Sequence, residues 1–172
     1  MKNLGNDINE IQKIKDGEEN KLSDINPQLS VDTFKKEKFA MNSVITKTFI
    51  LFLARKSPIT FISGTPIDLE EKLRDCNRKE FHHLMPRAYL NKSKQDQYND
   101  SCLANFCFLS RADNRQLGGA KPSIYKEKIT GDITKILESH YCPHALFDDK
   151  YEQFVDNRSQ MLFEDAKLLC DI

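Results

Sequence analysis

The chain has 172 residues, enough for one domain with a substantial core. Its 26 Lys/Arg balance its 26 Asp/Glu, so total charge singles out no partner. The longest apolar run, TFILFLA at 48–54, is far too short to span a bilayer, which argues against a membrane role.

Residues 1 to about 30 are polar. Ile8, Ile11 and Ile14 recur every third position and predict a short amphipathic helix. GEENKLSDINPQLS follows, rich in turn formers and charge, and reads as a linker or loop. Residues 1–33 are therefore set apart as an N-terminal segment, with the domain at 34–172. Asn42 and Ser43 are candidate caps for a helix through VITKTFILFLARK, which is nearly apolar all round and so expected to be buried. Ser57-Pro58 ends it. SPITFISGTPIDLEE contains a short β-like stretch and then turns.

KEFHHLMP reads as a strand ending at Pro86, and ANFCFLS (104–110) as a second strand. ADNRQLGG begins as a helix and stops at Gly118-Gly119. Pro122 opens the segment SIYKEKI, and DITKILESH is a short helix. From about 148 to 170, Tyr151, Phe154, Val155, Met161, Leu162 and Leu168 fall at helical spacings and predict one long amphipathic helix. The expected fold class is α+β, mostly helical: a two-stranded hairpin plus helix at about 79–128, surrounded by additional helices.

The charges are unevenly spread. From Arg78 to Lys128 there are ten Lys/Arg against five Asp/Glu; from Gly131 to Ile172 there are four against nine. A basic middle suits a phosphate-bearing ligand, and ordinary surface charge explains the same counts. Five cysteines, an odd number with no CxxC pair, and a polar start without a signal peptide lead to an expectation of reduced thiols in the cytoplasm.

Two of the four histidines are adjacent, in EFHHLMPRAYL (80–90). Neighbouring strand residues face opposite sides, but that alternation relaxes at a strand end or bulge, where His82 and His83 can serve one cleft in different roles. Asn105 in LANFCFLS and Asn114 in SRADNR follow in order. HHLMP, ANFCFLS and RADNR together resemble the pattern of the HNH nucleases of the ββα-metal fold. The series HHLMPRAYL, LANFCFLSRADNR and GGAKPSIYKEKI, closed by FVDNRSQML, more narrowly resembles the C-terminal nuclease domain of GmrSD-type modification-dependent restriction endonucleases. The resemblance covers roughly residues 34–170 and centres on 80–125.

The resemblance implies roles. His83 aligns with the general base and His82 with the metal ligand before it. Asn114 aligns with the second ligand, and Asn105 with the middle asparagine that braces the loop or orients the base. Arg115, Arg111 and, more weakly, Lys121 are placed to hold phosphate oxygens. The implied cofactor is a divalent ion, Mg²⁺ first and Mn²⁺ as an alternative, with Zn²⁺ or Ni²⁺ able to bind the imidazole. The implied products carry 5′-phosphate and 3′-hydroxyl ends. The implied partners are DNA, in this family modified phage DNA, and an N-terminal sensor domain that senses modification and handles nucleotide. That domain is not in these residues, so the chain is expected to be a fragment or a separate nuclease subunit. Departures are His rather than Asp at 82, and Phe106-Cys107 in place of Leu-Thr. Two rival readings stay open: a non-catalytic DNA-binding or interaction module on the same scaffold, and a nuclease toxin held by an immunity partner.

Other motifs carry less. HYCPH (140–144) offers His140, Cys142 and His144 as zinc donors, but a helix end with ordinary polar residues is the simpler account. Cys102 and Cys107 read as buried reduced thiols. Gly118-Gly119 before Lys121 lacks phosphate-loop spacing. Tyr89, Tyr98 and Tyr125 fit core packing better than base stacking. Arg158 either folds back on the core or lies at the surface.

Overall fold

Phenylalanines from the middle of the chain converge on one small sheet. The structure is a computed structural model, and it describes residues 4–19, 21, 29–75, 81–93 and 97–169. The helices are α1 (Leu4–Lys15), α2 (Val31–Lys36), α3 (Val44–Ala54), α4 (Leu69–Asp75), α5 (Arg87–Ser93), α6 (Arg111–Leu117), α7 (Pro122–Tyr125), α8 (Ile133–Ser139) and α9 (Tyr151–Leu169). The strands are β1 (Phe81–His83) and β2 (Phe106–Phe108), paired antiparallel with Phe81 opposite Phe108, His82 opposite Cys107 and His83 opposite Phe106. The protein is thus mainly helical with a small two-stranded antiparallel sheet, the α+β class expected, and α6 follows β2 after two residues.

Strand alternation fixes what each face of the hairpin carries. Phe81, His83, Phe106 and Phe108 share one face. There the Phe39 ring stacks on Phe106 with centroids 4.2 Å apart, and the His83 ring lies 4.4 Å from Phe106. His82 and Cys107 share the other. Burial pushes the Cys107 thiol up to about 12, against the lowering charge of Arg158, with Cys142 and Asp113 adding to the rise. The rings of Phe39, Phe81, Phe106 and Phe108 form an aromatic layer on the other face of the sheet.

The C-terminal helix does more than cover the sheet. Arg158 is fully buried, and its guanidinium donates to four main-chain carbonyls: Ala104 at 2.6 Å, Phe106 at 2.8 Å, His140 at 2.9 Å and Tyr141 at 3.2 Å. Five N–H donors in a rigid fork suit this convergence, which a lysine could not reproduce. Of the two placements open to Arg158 in the sequence, burial is the one adopted. It fastens β2 to the 140–141 turn and α9.

Several expected elements differ in extent. The first strand ends at His83, and residues 79–80 of its predicted start lie outside the described residues. The second strand is shorter than 104–110 because Leu103–Asn105 form a 3₁₀ turn, so Asn105 sits just before β2. The helix at 44–54 is not buried all round: Phe49, Ile50 and Leu53 face the core, while Val44 is 79% and Leu51 62% exposed. An isolated bridge between Ile59 and Pro66 is the β-like stretch before α4. Pro122 opens α7 as expected. The long helix runs from 151 to 169, preceded by a 3₁₀ turn at His144–Asp148. Most of the predicted 17–30 linker, Cys76 and Cys170 lie outside the described residues.

Gly131 joins two loops of the core. Its N–H donates to Ile62 O at 3.0 Å, and a Cβ there would meet Ser63 O at 2.8 Å, closer than any side chain tolerates. The 61–64 turn can close over α8 only because that position is glycine.

Candidate active site

The bend after β1 and the turn before β2 are held together by one side chain. Asn105 is fully buried, and its amide works entirely on main chain. Oδ1 accepts from Met85 N at 2.9 Å, while Nδ2 donates to Met85 O at 3.1 Å and to Asp100 O at 2.8 Å. The Asn105 carbonyl also accepts from Leu84 N at 2.8 Å. These bonds fix the two residues directly after His83. From below, the buried Tyr125 hydroxyl donates to Leu84 O at 2.8 Å. Asn105 thus positions the histidine bend, and its amide is consumed in doing so.

His82 and His83 are both half-buried, at the middle and end of β1. The register puts His82 on the Cys107 face and His83 on the aromatic face, with the His83 Nε2 enclosed. The strand-end relaxation that would bring both to one cleft is therefore asked of His83, the last strand residue.

Asn114 lies in α6 and is half-buried. The helix starts at Ser110, whose hydroxyl accepts from Asp113 N at 3.0 Å, a local N-cap that the sequence S-x-x-D announces. Asp113 itself accepts from Phe61 N at 3.2 Å, and burial raises its carboxyl above the usual range despite that bond. This ties α6 to the 61–64 turn and sets its pitch against the sheet. Arg115 is exposed on the same helix. Arg111 opens α6, and its side chain lies outside the described residues. Lys121, at the N-cap of α7, is exposed and pairs with Asp149 Oδ2 at 3.0 Å. Asp149 also accepts from Ser123 N at 2.8 Å and Ser123 Oγ at 2.6 Å. Burial would raise that carboxyl, but the Ser123 and Lys121 bonds hold it below the usual range. The Lys121 ammonium thus has a partner other than phosphate.

Two residues at the bend were not singled out in the sequence. Arg87, right after Pro86, forks onto Asp100: Nε bonds Oδ2, and Nη2 bonds Oδ1 at 3.2 Å and Ser101 Oγ at 3.0 Å. Burial would raise the Asp100 carboxyl, but Arg87, Ser101 and the nearby His83 hold it below its ordinary range. The sequence signal was the arginine following the motif proline, whose partner thirteen positions on was not legible.

The second histidine motif does not converge. His140 is buried, with Nε2 donating to Ile59 O at 2.8 Å; desolvation lowers its pKa to about 4, against the raising effect of that bond. Cys142 is buried and His144 exposed. Among the described residues no group of three or more His, Cys, Asp or Glu side chains is placed to hold a metal.

The donor set for the implied ion is then an imidazole and an amide oxygen, both neutral. Two neutral donors suit a hard dication that keeps water and takes phosphate oxygens. The residues fit the group.

Comparison of the chain with protein-family profiles, with curated proteins and with solved structures finds no match. No helix among the described residues is long and apolar enough to cross a membrane.

Proposed function

We propose that this chain is a metal-dependent DNA endonuclease or nickase domain of HNH type, the effector part of a modification-dependent restriction system acting against phage. The observation that carries the reading is the order hairpin then helix, with His82-His83 ending one strand, Asn105 clamping the bend behind them and Asn114 on the helix that follows.

In this reading a bound Mg²⁺ or Mn²⁺, held by His82 and Asn114, supplies charge stabilisation at the phosphate oxygens. His83 accepts a proton from the attacking water, the general-base role an imidazole side chain commonly fills. Asn105 and Tyr125 hold the bend so that the imidazole is presented in one orientation. Arg115 and Arg111 take phosphate oxygens by paired hydrogen bonds. Lys121 must leave Asp149 to join them.

One observation favours the rival binding module: the register turns His82 and His83 to opposite faces of the hairpin. The two are separated by supercoiled plasmid incubated with Mg²⁺ or Mn²⁺, with and without EDTA, alongside Asn114→Ala. Nicking or linearisation lost with chelator and reduced at least about a hundredfold by the substitution supports the nuclease. A gel shift of uncut plasmid, indifferent to both, supports the module. Host damage on expression, relieved by a co-encoded acidic protein, would point to the toxin instead.

A further inference from the structure

Among the described residues two apolar surfaces lack a covering, and they match. The first is on α1, where Ile8, Ile11 and Ile14 share one face and are 58%, 46% and 50% exposed. Among the described residues, every side-chain hydrogen bond of α1 stays within residues 4–21. The second is a groove of about 380 Å³ between α2, α3 and α9, walled by Phe34, Phe49, Phe52, Leu103 and Ala166, with exposed Leu51 on its rim.

We infer that α1 folds back in cis and seats Ile8, Ile11 and Ile14 in this groove. Three features of the chain identify the occupant. Leu29 lines the groove, and it is where the N-terminal segment enters the domain. Gly17, at φ 71°, turns the chain back at the end of α1, so that Lys21 N donates to Glu10 at 2.6 Å. Seven residues then separate Lys21 from Leu29, a reach of about 25 Å, which gives α1 an effective concentration of millimolar order at the groove. A second copy is the weaker occupant. Three isoleucines bury on the order of 100 Å² each, far below the roughly 1,200 Å² that a stable dimer needs, but a tethered helix requires no such area.

Docking has a structural consequence at the site. Leu103, in the groove wall, is the first residue of the turn that carries Asn105. A seated α1 packs against that turn through Leu103. The inference stands apart from the catalytic reading and survives its failure.

The test is hydrogen exchange on the full chain, comparing wild type with Leu51→Asp, which lies on the groove rim and leaves α1 untouched. Expected are wild-type amides of 8–14 that exchange at least tenfold more slowly than those of a synthetic peptide of residues 1–21, independently of protein concentration. Leu51→Asp should remove that protection and raise the fluorescence of an apolar dye severalfold, with α9 protection unchanged. Ile11→Asp should raise the dye signal likewise. Wild-type amides exchanging at the peptide rate would overturn the inference, as would protection that survives Leu51→Asp within twofold. Protection that falls on dilution, in step with dissociation of a dimer, would also overturn it and assign the groove to a second copy.

Discussion

The two histidine regions of this molecule use the same side chain in opposite ways. At 140, the imidazole is enclosed, its Nε2 is spent on Ile59 O, and its carbonyl and the next are spent on Arg158. At 82–83, the rings stand half-buried at a strand end, and Asn105, Tyr125 and the Arg87–Asp100 fork hold the bend that follows. A residue whose polar atoms the fold consumes is structural. The histidines at 82–83 are half-buried and keep partial access to solvent, which the proposed chemistry requires. HYCPH and EFHHLMP look equally suggestive as strings, and only the surrounding bonds separate them.

The sharpest way to break this contrast is at its closed pole. Arg158→Ala removes a buried cation and strands four carbonyls, so unfolding free energy should fall by about 3–5 kcal/mol, read by urea denaturation. Retained stability would mean that the 140–141 turn is held by packing alone.

The pH dependence of stability tests His140 directly. Its folded pKa of about 4 lies below the unfolded value near 6.5, so the unfolded chain binds the extra proton between them. The contribution is fully present above about pH 6.5 and is lost as pH falls towards 4, roughly 3 kcal/mol in all. His140→Gln should flatten that part of the profile. An unchanged slope would show that His140 is open to solvent.

Asn105→Ala leaves the Met85 and Asp100 main-chain groups without their side-chain partner, which should cost about 2–3 kcal/mol and loosen the His83 bend. Exchange at the Met85 amide, whose acceptor is Asn105 Oδ1, reads this specifically. At the smallest end, Lys121→Ala should change stability by less than about 1 kcal/mol, because its pair with Asp149 is exposed on the lysine side. If Lys121 takes a phosphate when DNA binds, the same variant should weaken DNA affinity and lower its salt dependence by about one charge.

Sequence reasoning reached the hairpin, α6, α7, α8 and α9 because each announces itself by short-range chemistry: aromatic runs, the Gly118-Gly119 stop, Pro122 and a helical apolar period. It overextended both strands, since the 3₁₀ turn at 103–105 and the bend at 84–85 follow from the cross-chain bonds of Asn105, which no local pattern encodes. It missed α4 and α5, whose seven-residue sequences LEEKLRD and RAYLNKS are too short for a period, and α2, which packs against α9 with its Phe34 ring near Phe49 of α3. It took α3 as buried all round because composition cannot tell a buried face from an apolar one that is left open. The candidate residues were legible as a motif. Their supports, Arg87 with Asp100 and Arg158 with its four carbonyls, were not, because each pairing depends on the tertiary fold.

The central proposal is that His83, the last residue of β1, moves a proton. The measurement that tests it most directly is the initial rate of supercoiled-plasmid cleavage in Mn²⁺ by wild type, His83→Ala and His140→Gln at pH 8, where each variant's fold is checked by its melting curve. The account predicts a loss of about a thousandfold for His83→Ala with near-normal melting, and nearly wild-type cleavage by His140→Gln. Equal cleavage by wild type and a folded His83→Ala would contradict it.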